Sequence, residues 1–422
     1  MNAPFPLREA HCHIAPFGAS LSLPSLSACA SLGEMLERVR ADAARLPAGG
    51  AIRSLHARHQ AWPEQRWPTM SELDAAAAGR AVVVMSFDHH EAVASSAALA
   101  KAGVTAGQRI GEKGLVQSDA QGQATGLLIE DAAYVVWNAL ASDQAGIETV
   151  MRDTLAALRH YAAMGFAEVH DLRTEPVFAR ALLDLDATGE LTTLGVRVAM
   201  FPLIEHLQEV DAMTRAARAK RVTLAGGKLF VDGTLNARTA ATLEPCTDPL
   251  PGEPLGRMMV TAAQIDDAVR ACDSIGLPLA THAIGDRAVR EVLDSHERVR
   301  PRARGQRIEH CELVHPRDVP RFVEMGITAS VQPCHLLADV PALTRLHPHA
   351  LERVLPLRSL LTSGLKPGRL DAGLVFGSDA PIVRPEPEDS IIAAMTLGDG
   401  FASLNPGEAI DDATAWSCFA IA

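Results

Sequence analysis

The chain alternates short apolar runs with longer amphipathic segments. The short runs are rich in apolar or β-branched residues, and several end in Gly, Pro or Asp, which is typical of strands. Eight such runs predict strands at 8–15, 165–172, 192–202, 223–233, 278–286, 307–312, 328–333 and 374–381. The segments between them predict helices over 148–163, 175–188, 205–220, 261–275, 286–300, 316–325 and 349–364.

This alternation predicts an α/β fold, specifically a (β/α)8 barrel of the TIM type. An open doubly wound sheet is the competing architecture, but so many runs end in polar residues that we favour the barrel. Residues 16–145 do not fit one βα unit, because they contain two Trp-Pro pairs and a Gly-rich stretch. We therefore expect a barrel made of 1–15 and 146–422, with 16–145 inserted after the first strand as a lid over the barrel mouth.

Composition narrows the class of protein further. The 422 residues include 39 basic and 51 acidic side chains, a formal charge of −12, so the general basic surface of a nucleic-acid-binding protein is missing. No stretch reaches the roughly 18 uncharged apolar residues of a membrane span, and the first residues lack the pattern of a secretory signal. The seven cysteines are scattered without a C-x-x-C pair. We expect a cytoplasmic protein without disulfides, and neither nucleic acid nor membrane as a partner.

Imidazoles and carboxylates stand where the predicted strands end. The side chains are His11 and His13 on the first strand, His282 on the fifth, His310 on the sixth and Asp379 on the eighth. Residues two apart on a strand point the same way, so His11 and His13 can reach one ion. A hydrogen-bonded core histidine or a helix-capping aspartate explains any one of them. Together they supply one rim with the nitrogen and oxygen ligands of a divalent metal site.

Lys228 lies within a predicted apolar strand, in a chain with only five lysines among its 39 basic residues. Burying an ammonium group is costly unless it is paired or chemically changed. A desolvated lysine readily loses its proton, and the neutral amine could add carbon dioxide to form a carbamate that bridges two metal ions. A salt bridge from Lys228 to Asp232, or to the region of Asp379, explains the residue equally well. From the residues alone, both interpretations stay open.

These residues lie in strings that resemble the amidohydrolase superfamily, in the amidohydrolase-3 branch with the YtcJ-like proteins and N-substituted formamide deformylases. The strings include His11-Cys-His13, Lys228-Leu-Phe-Val-Asp-Gly233, His282-Ala-Ile-Gly-Asp-Arg287, Arg307-Ile-Glu-His310, Ser330-Val-Gln-Pro-Cys-His335 and Gly377-Ser-Asp-Ala-Pro381. The resemblance implies a metal-dependent enzyme that hydrolyses a non-peptide carbon–nitrogen bond of a small amide or an N-substituted formamide through a metal-activated water.

The resemblance also implies a set of six metal ligands, namely His11, His13, Lys228, His282, His310 and Asp379. The first two histidines would hold one ion, the other two a second ion, and carboxylated Lys228 would bridge them. Asp379 would also move the proton, and the second ion or His282 would polarise the substrate carbonyl. Zinc suits these ligand types. A single ion with Lys228 uncarboxylated is the alternative within the superfamily.

Four further residues are candidate substrate contacts, namely His90, Arg287, Gln332 and His335. For Arg287 a salt bridge on the barrel wall competes with that role. Members of the family usually begin with a β-sandwich of some fifty residues, whereas only ten residues precede His11. We therefore expect the small β-sandwich domain to be absent or truncated. A partner subunit would cover the barrel surface left bare, so a homo-oligomer is one expectation.

Two other functions are compatible with the same residues. A deaminase, or a hydrolase of cyclic amides or esters, would use the same activated water on a different bond. A non-catalytic barrel would keep the metal site and lack turnover. Release of ammonia, or metal binding without any turnover, would indicate these alternatives.

Overall fold

A computed structural model of the protein describes residues 5–46, 49–87, 90–111, 114–140, 146–250, 252–398 and 403–421. The strands in chain order are β1 (Leu7–Cys12), β2 (Ile52–Ala57), β3 (Val82–Ser86), β4 (Glu91–Ala94), β5 (Arg109–Ile110), β6 (Gly114–Ser118), β7 (Ala124–Ile129), β8 (Phe166–Leu172), β9 (Arg197–Phe201), β10 (Val222–Leu224), β11 (Gly227–Phe230), β12 (Leu279–Ala283), β13 (Arg307–His310), β14 (Thr328–Val331), β15 (Lys366–Pro367) and β16 (Gly373–Phe376).

Helices follow most of these strands, as an α/β fold requires. They are α1 (Ile14–Ser20), α2 (Leu32–Arg45), α3 (Met70–Ala77), α4 (Ser96–Ala102), α5 (Asp131–Leu140), α6 (Ile147–Ala163), α7 (Pro176–Ala187), α8 (Glu190–Leu194), α9 (Leu207–Ala217), α10 (Ala262–Ser274), α11 (Asp286–Val299), α12 (Val319–Glu324), α13 (Leu336–Leu346), α14 (Leu357–Ser363), α15 (Pro387–Thr396) and α16 (Asp412–Cys418). The predicted α/β class is confirmed.

The chain divides into two units, one made of Met1–Gly18 with Val150–Ala422 and one made of Ala19–Thr149. We call the first the parallel unit, because its described strands pair in parallel throughout, in the orders β1-β8-β9-β10 and β11-β12-β13-β14-β16-β15. Every residue of β1, β12, β13, β14 and β16 is buried, which is typical of sheets covered on both faces. Single parallel bridges join Cys12 to Ala380 and Leu203 to Lys228.

The run 223–233, predicted as one strand, is two. β10 pairs with β9, whereas β11 pairs with β12. Gly226 lies between them, and a Cβ there would lie 2.7 Å from the Phe201 ring and from the Pro278 carbonyl oxygen. Only glycine permits this close approach of the backbone. The change of sheet places Lys228 in register with Ala280 of β12.

Other differences have local causes. The first residues of the predicted strand 192–202 belong to α8, which ends at Gly195 in the left-handed region, so β9 begins only at Arg197. The predicted helix 349–364 is confined to α14, because Pro356 stands directly before it. Sequence periodicity did not predict α13, α15 or α16; α13 contains an internal proline, Pro341.

The second unit, which we call the inserted unit, has its own mixed sheet and core. Its strand order is β2-β3-β4-β7-β6-β5; β2 and β3 are parallel and the other pairs antiparallel. Apolar side chains of α2, α3 and β3, such as Met35, Leu73 and Val84, are fully buried in it. The predicted role of this segment as a lid stays a prediction. Within the described part of the chain, no helix is long and apolar enough to cross a bilayer.

Candidate metal centre

The centre is built first on the carboxyl end of β1. The Nδ1–H of His11 donates a hydrogen bond to Glu309 Oε2 at 2.6 Å. Burial alone would raise the pKa of Glu309, but Arg307 and His11 hold it well below its usual range, so Glu309 is an ionised acceptor. The other ring nitrogen of His11, Nε2, lies 3.3 Å from Asp379 Oδ1, and His13 Nε2 lies 3.0 Å from the same oxygen. Two imidazoles and one carboxylate therefore converge.

The backbone fixes this convergence. The N–H of Asp379 donates to the His11 carbonyl at 2.7 Å, and the N–H of His13 donates to the Ala380 carbonyl at 2.8 Å. A Cβ on Gly377 would lie 2.5 Å from the His11 nitrogen, so a glycine is needed where the segment after β16 passes β1. The carboxyl ends of the first and last predicted strands are thus adjacent at the centre.

His310 adds a third imidazole at the end of β13. Its ring centroid lies 4.8 Å from that of His11 and 4.4 Å from that of His282. Burial and then the charge of His282 hold the pKa of His310 well below its usual range, which favours the neutral form that binds metals. Ligand atoms of His11, His310 and Asp379 all lie within 4.8 Å of one another.

His282 ends β12 beside a buried carboxylate. Its Nε2 lies 3.3 Å from the Gly233 carbonyl oxygen and 3.6 Å from Asp232 Oδ1. Asp232 accepts backbone N–H groups from Ala241, Ile284 and Gly285, the last two lying two and three residues after His282. The Asp232 carboxyl therefore fixes the segment that carries His282.

Lys228 is buried, and its Nζ has no hydrogen-bond partner among the described residues. The centroid of the Phe230 ring lies 4.8 Å from Nζ. Burial lowers the pKa of Lys228 to about 8, although the charges of Glu309 and Asp379 oppose this shift. Among the described residues, Lys228 forms no salt bridge to Asp232 or Asp379. The salt-bridge interpretation of Lys228 therefore has no support in the structure.

A second group of ligand types lies beside the first. Ligand atoms of His310, Glu312 and His335 are also within 4.8 Å of one another. The Nδ1–H of His335 donates to Glu312 Oε1 at 3.2 Å, and its Nε2 lies 3.8 Å from Asp379 Oδ2. Burial would lower the pKa of His335, but Glu312 and Asp379 raise it to about 9. Without a metal, His335 is therefore an imidazolium ion at neutral pH, facing Asp379.

The donor set fits a divalent ion. Buried polar atoms almost always have a partner, yet three nitrogens here have no hydrogen-bond acceptor or donor within the described chain: Lys228 Nζ, His310 Nδ1 and His335 Nε2. All three belong to residues of the cluster around Asp379. Imidazole nitrogens and carboxylate oxygens are the ligands that zinc and related ions prefer.

The three other candidate substrate contacts differ in position. Gln332 is buried, with Nε2 donating to the Ser330 carbonyl at 3.4 Å and Oε1 lacking a partner among the described residues. Arg287 is exposed at the start of α11, and its side chain forms no ion pair with any residue the structure describes. His90 belongs to the inserted unit, where it pairs with Glu130 at 3.0 Å. Their roles stay predictions.

Sequence reasoning missed the residues that hold the ligands. Arg307 donates to Glu309 through Nε at 2.5 Å and to the Ala10 carbonyl through Nη2 at 2.6 Å. Its Nη1 lies 2.9 Å from His170 Nδ1. Arg307 therefore orients Glu309, which in turn orients His11. The string Arg307-Ile-Glu-His310 could have predicted this contact, because an Arg and a Glu two residues apart on a strand share one face.

We expect Glu309→Gln to weaken metal binding or turnover about 10- to 100-fold, the usual effect of losing a carboxylate behind a metal-ligating histidine. The amide keeps the shape of Glu309 but removes the charge that raises the basicity of His11. Metal affinity is measured by chelator competition and folding by thermal unfolding. Glu324→Gln, at an exposed position of α12, is the matched control. An affinity and turnover within twofold of wild type would contradict this role of Glu309.

Comparison with known proteins tests the resemblance independently. Residues 6–417 match the family model described as "Amidohydrolase family". The N-substituted formamide deformylase of Arthrobacter pascens is 26% identical over 425 residues, covering 95% of this chain and 75% of that protein. YtcJ of Bacillus subtilis (strain 168) is 25% identical over 406 residues, covering 92% of this chain and 71% of that protein. The predicted kinship with these proteins is confirmed.

A solved structure agrees with the fold. The crystal structure of an uncharacterized metal-dependent hydrolase from Pyrococcus horikoshii OT3 has a TM-score of 0.75 and 25% sequence identity, covering 97% of this chain and 78% of that one. The family model spans nearly the whole chain. The cluster of histidines with Asp379 supplies the ligand types of a divalent ion. The chain belongs to the amidohydrolase family, and it is a metal-dependent hydrolase.

Proposed function

We propose that this hydrolase cleaves a non-peptide carbon–nitrogen bond in a small amide or an N-substituted formamide. The observation that carries the proposal is the convergence of His11 and His13 on one oxygen of Asp379, beside the buried Lys228 amine. The name of the Arthrobacter pascens relative supports the substrate class.

The six ligands of the proposal are His11, His13, Lys228, His282, His310 and Asp379. They would hold one or two divalent ions, zinc by ligand type, with Lys228 as a carbamate bridge in the two-ion form. An ion held there lowers the pKa of a coordinated water toward about 7 and polarises a carbonyl oxygen.

Asp379 would act as the general base and acid. Its Oδ1 faces His11 and His13, whereas Oδ2 lies 3.8 Å from His335 Nε2. Burial would raise the pKa of Asp379, but His11 and His13 hold it well below its usual range, so it is ionised and can accept a proton. Oδ2 would take the proton of the attacking water and return it to the leaving nitrogen. His335 would hold that carboxylate in place, and a second ion or His282 would polarise the substrate carbonyl.

The proposal also includes a closed (β/α)8 barrel in the parallel unit. Closure is supported by two parallel bridges: Cys12–Ala380 joins β1 to the segment after β16, and Leu203–Lys228 joins the segment after β9 to β11. In a closed barrel the carboxyl ends of all strands share one face, and enzymes of this fold carry their active sites there. The ligands from β1, β11, β12, β13 and the segment after β16 would then lie on one rim.

The test is metal content combined with turnover. Protein purified without added metal or chelator is analysed by plasma mass spectrometry, and we expect about one or two equivalents, two indicating the bridged site. N-alkyl formamides and small amides are assayed for released amine and carboxylate, before and after chelation and after reloading with zinc. We expect turnover to disappear on chelation and to return with zinc. Ammonia as the product would indicate a deaminase instead, and a protein that takes up no metal would overturn the proposal.

A further inference from the structure

The parallel unit has a second concave site, at the amino-terminal ends of its strands. A cavity of about 700 Å³ opens there. Its wall includes Arg8 of β1, Glu168 and His170 of β8, most of β9, Arg307 of β13 and the segment that precedes β16. The proposed ligands His11, His13, His282, His310 and Asp379 lie towards or beyond the carboxyl ends of their own strands, and none of the six proposed ligands lines this cavity. The volume is in the range typical of small-molecule sites.

The wall of this cavity is cationic, although the chain as a whole carries −12. Seven arginine and lysine side chains line it, against the two carboxylates Glu168 and Asp371. His170 adds no charge, because burial lowers its pKa to about 4. A concave surface of one sign concentrates the field and attracts ions of the other sign.

The two carboxylates do not balance the cations. Glu168 is shared between Arg8, at 2.6 Å, and Arg197, at 3.2 Å. Asp371 pairs with Arg304 at 3.2 Å. Arg307 also lines the cavity, and it pairs with Glu309, which hydrogen-bonds His11 and does not line the cavity.

Three cations of the wall have no carboxylate partner among the described residues: Lys220, Arg221 and Arg369. The backbone N–H groups of the first two donate to Asp186, but their side chains form no ion pair with any residue that the structure describes. They come from two places in the chain, the start of β10 and the turn before β16, and meet at the same cavity. The arrangement gathers unpaired positive charge in one concavity.

Arg8 places one guanidinium group in the wall of the cavity. Only 4% of this residue is exposed. Its Nε donates to Glu168, and its Nη1 donates to the carbonyls of Gly368 and Ala420. Its Nη2 has no hydrogen-bond acceptor in the described parts of the chain, and Arg8 lines the cavity. The Nη2 group is therefore available to an acceptor bound in the cavity.

We propose that this cavity binds a small organic anion carrying two or more negative charges, as phosphate or carboxylate groups. Guanidinium groups form bidentate hydrogen bonds with phosphate and with carboxylate groups. Arg221 and Arg369 can each offer two N–H donors for such a contact. The volume exceeds what one inorganic ion fills, so the ligand is a metabolite bearing these groups rather than a lone ion. The site is independent of the proposed amide substrate, which would bind at the other ends of the strands.

Isothermal titration calorimetry on the metal-loaded protein tests this site with three probes: inorganic phosphate, pyrophosphate and citrate. Chloride at matched ionic strength is the reference. We expect saturable binding of at least one probe, weakened by added sodium chloride. Tighter binding of pyrophosphate assigns a phosphorylated ligand, and tighter binding of citrate assigns a polycarboxylate. Absence of saturable binding for all three overturns the proposal.

A double variant, Arg221→Gln with Arg369→Gln, locates the binding. Each substitution removes charge-assisted hydrogen bonds, so we expect affinity to fall about 10- to 100-fold. Arg317→Gln, an exposed arginine that does not line the cavity, is the matched control and should bind as wild type does. Thermal unfolding verifies that the double variant is folded. Equal affinity of wild type and the double variant would place the anion on the metal ions and overturn the proposal.

Discussion

Asp379→Asn is expected to lower kcat by about 10²- to 10⁴-fold while the protein keeps most of its bound metal. The amide oxygen of asparagine can still face His11 and His13, which approach Asp379 Oδ1 at 3.3 and 3.0 Å. It cannot accept a proton and return it, so only the proton transfer is lost. Kinetics give kcat, and plasma mass spectrometry gives the metal content of the same sample.

The matched control for this variant is Asp267→Asn, which makes the same chemical change on an exposed side chain of α10. It should leave kcat and metal content unchanged. Full turnover of the Asp379 variant would show that another group moves the proton. His335, whose Nε2 lies 3.8 Å from Asp379 Oδ2, would then be the first residue to test.

Lys228→Ala should lower activity by more than about 100-fold. Substituting a residue that only hydrogen-bonds a metal ligand, such as Glu309, costs about 10- to 100-fold, and Lys228 is itself a proposed ligand. The buried amine, with its pKa lowered to about 8, is partly neutral near neutral pH. The neutral amine could add carbon dioxide and release a proton, and the resulting carbamate would supply oxygen ligands for a second ion. We expect the variant to lose one bound ion, and short carboxylic acids with added metal to restore part of the turnover.

An exposed lysine, Lys366, provides the control, and Lys366→Ala should behave as wild type. Incubation with ¹³C-labelled bicarbonate should give a carbamate signal in the NMR spectrum of the wild type and none in the Lys228 variant. One ion per wild-type chain, together with no rescue by carboxylic acids, would favour the single-ion alternative. Lys228 would then be a buried amine that contacts substrate or stabilises the fold.

Much of the centre could be predicted because its signals are local. Strand ends carrying His11, His282 or Asp379 stand out in apolar surroundings, and the family strings confirm the kinship over nearly the whole chain. Alternation of side chains along a strand also held for His11 and His13, which reach the same carboxylate oxygen.

The supporting residues were harder to predict because they depend on backbone geometry. His310 has φ of +73° and Cys311 has φ of +47°, so the regular alternation of β13 stops there. Glu309 and His310, neighbours that a regular strand would point to opposite faces, both contact His11. Glu312 lies beyond this break, and only the folded chain brings it to His335.

Strand pairing was the other feature that the sequence could not predict. No periodicity in the run 223–233 indicates that the chain changes sheets at Gly226, because the reason is the approach of the Phe201 ring and the Pro278 carbonyl from distant segments. The folded core of the inserted unit was likewise not predicted in detail, since its antiparallel strands are short and its sheet order is not sequential.

The row of side chains from His11 through Glu309, Arg307 and His170 to Glu168 has an evolutionary consequence. Arg307 uses Nε, Nη1 and Nη2 on four separate groups, including Ser330 at 2.8 Å. Lysine, with one ammonium group, could not replace that planar fork. Replacing Glu309 or Arg307 alone leaves the buried charge of the other uncompensated, so descendants of this sequence could change that pair only by simultaneous replacements. Variation in substrate range would have to come from residues outside it.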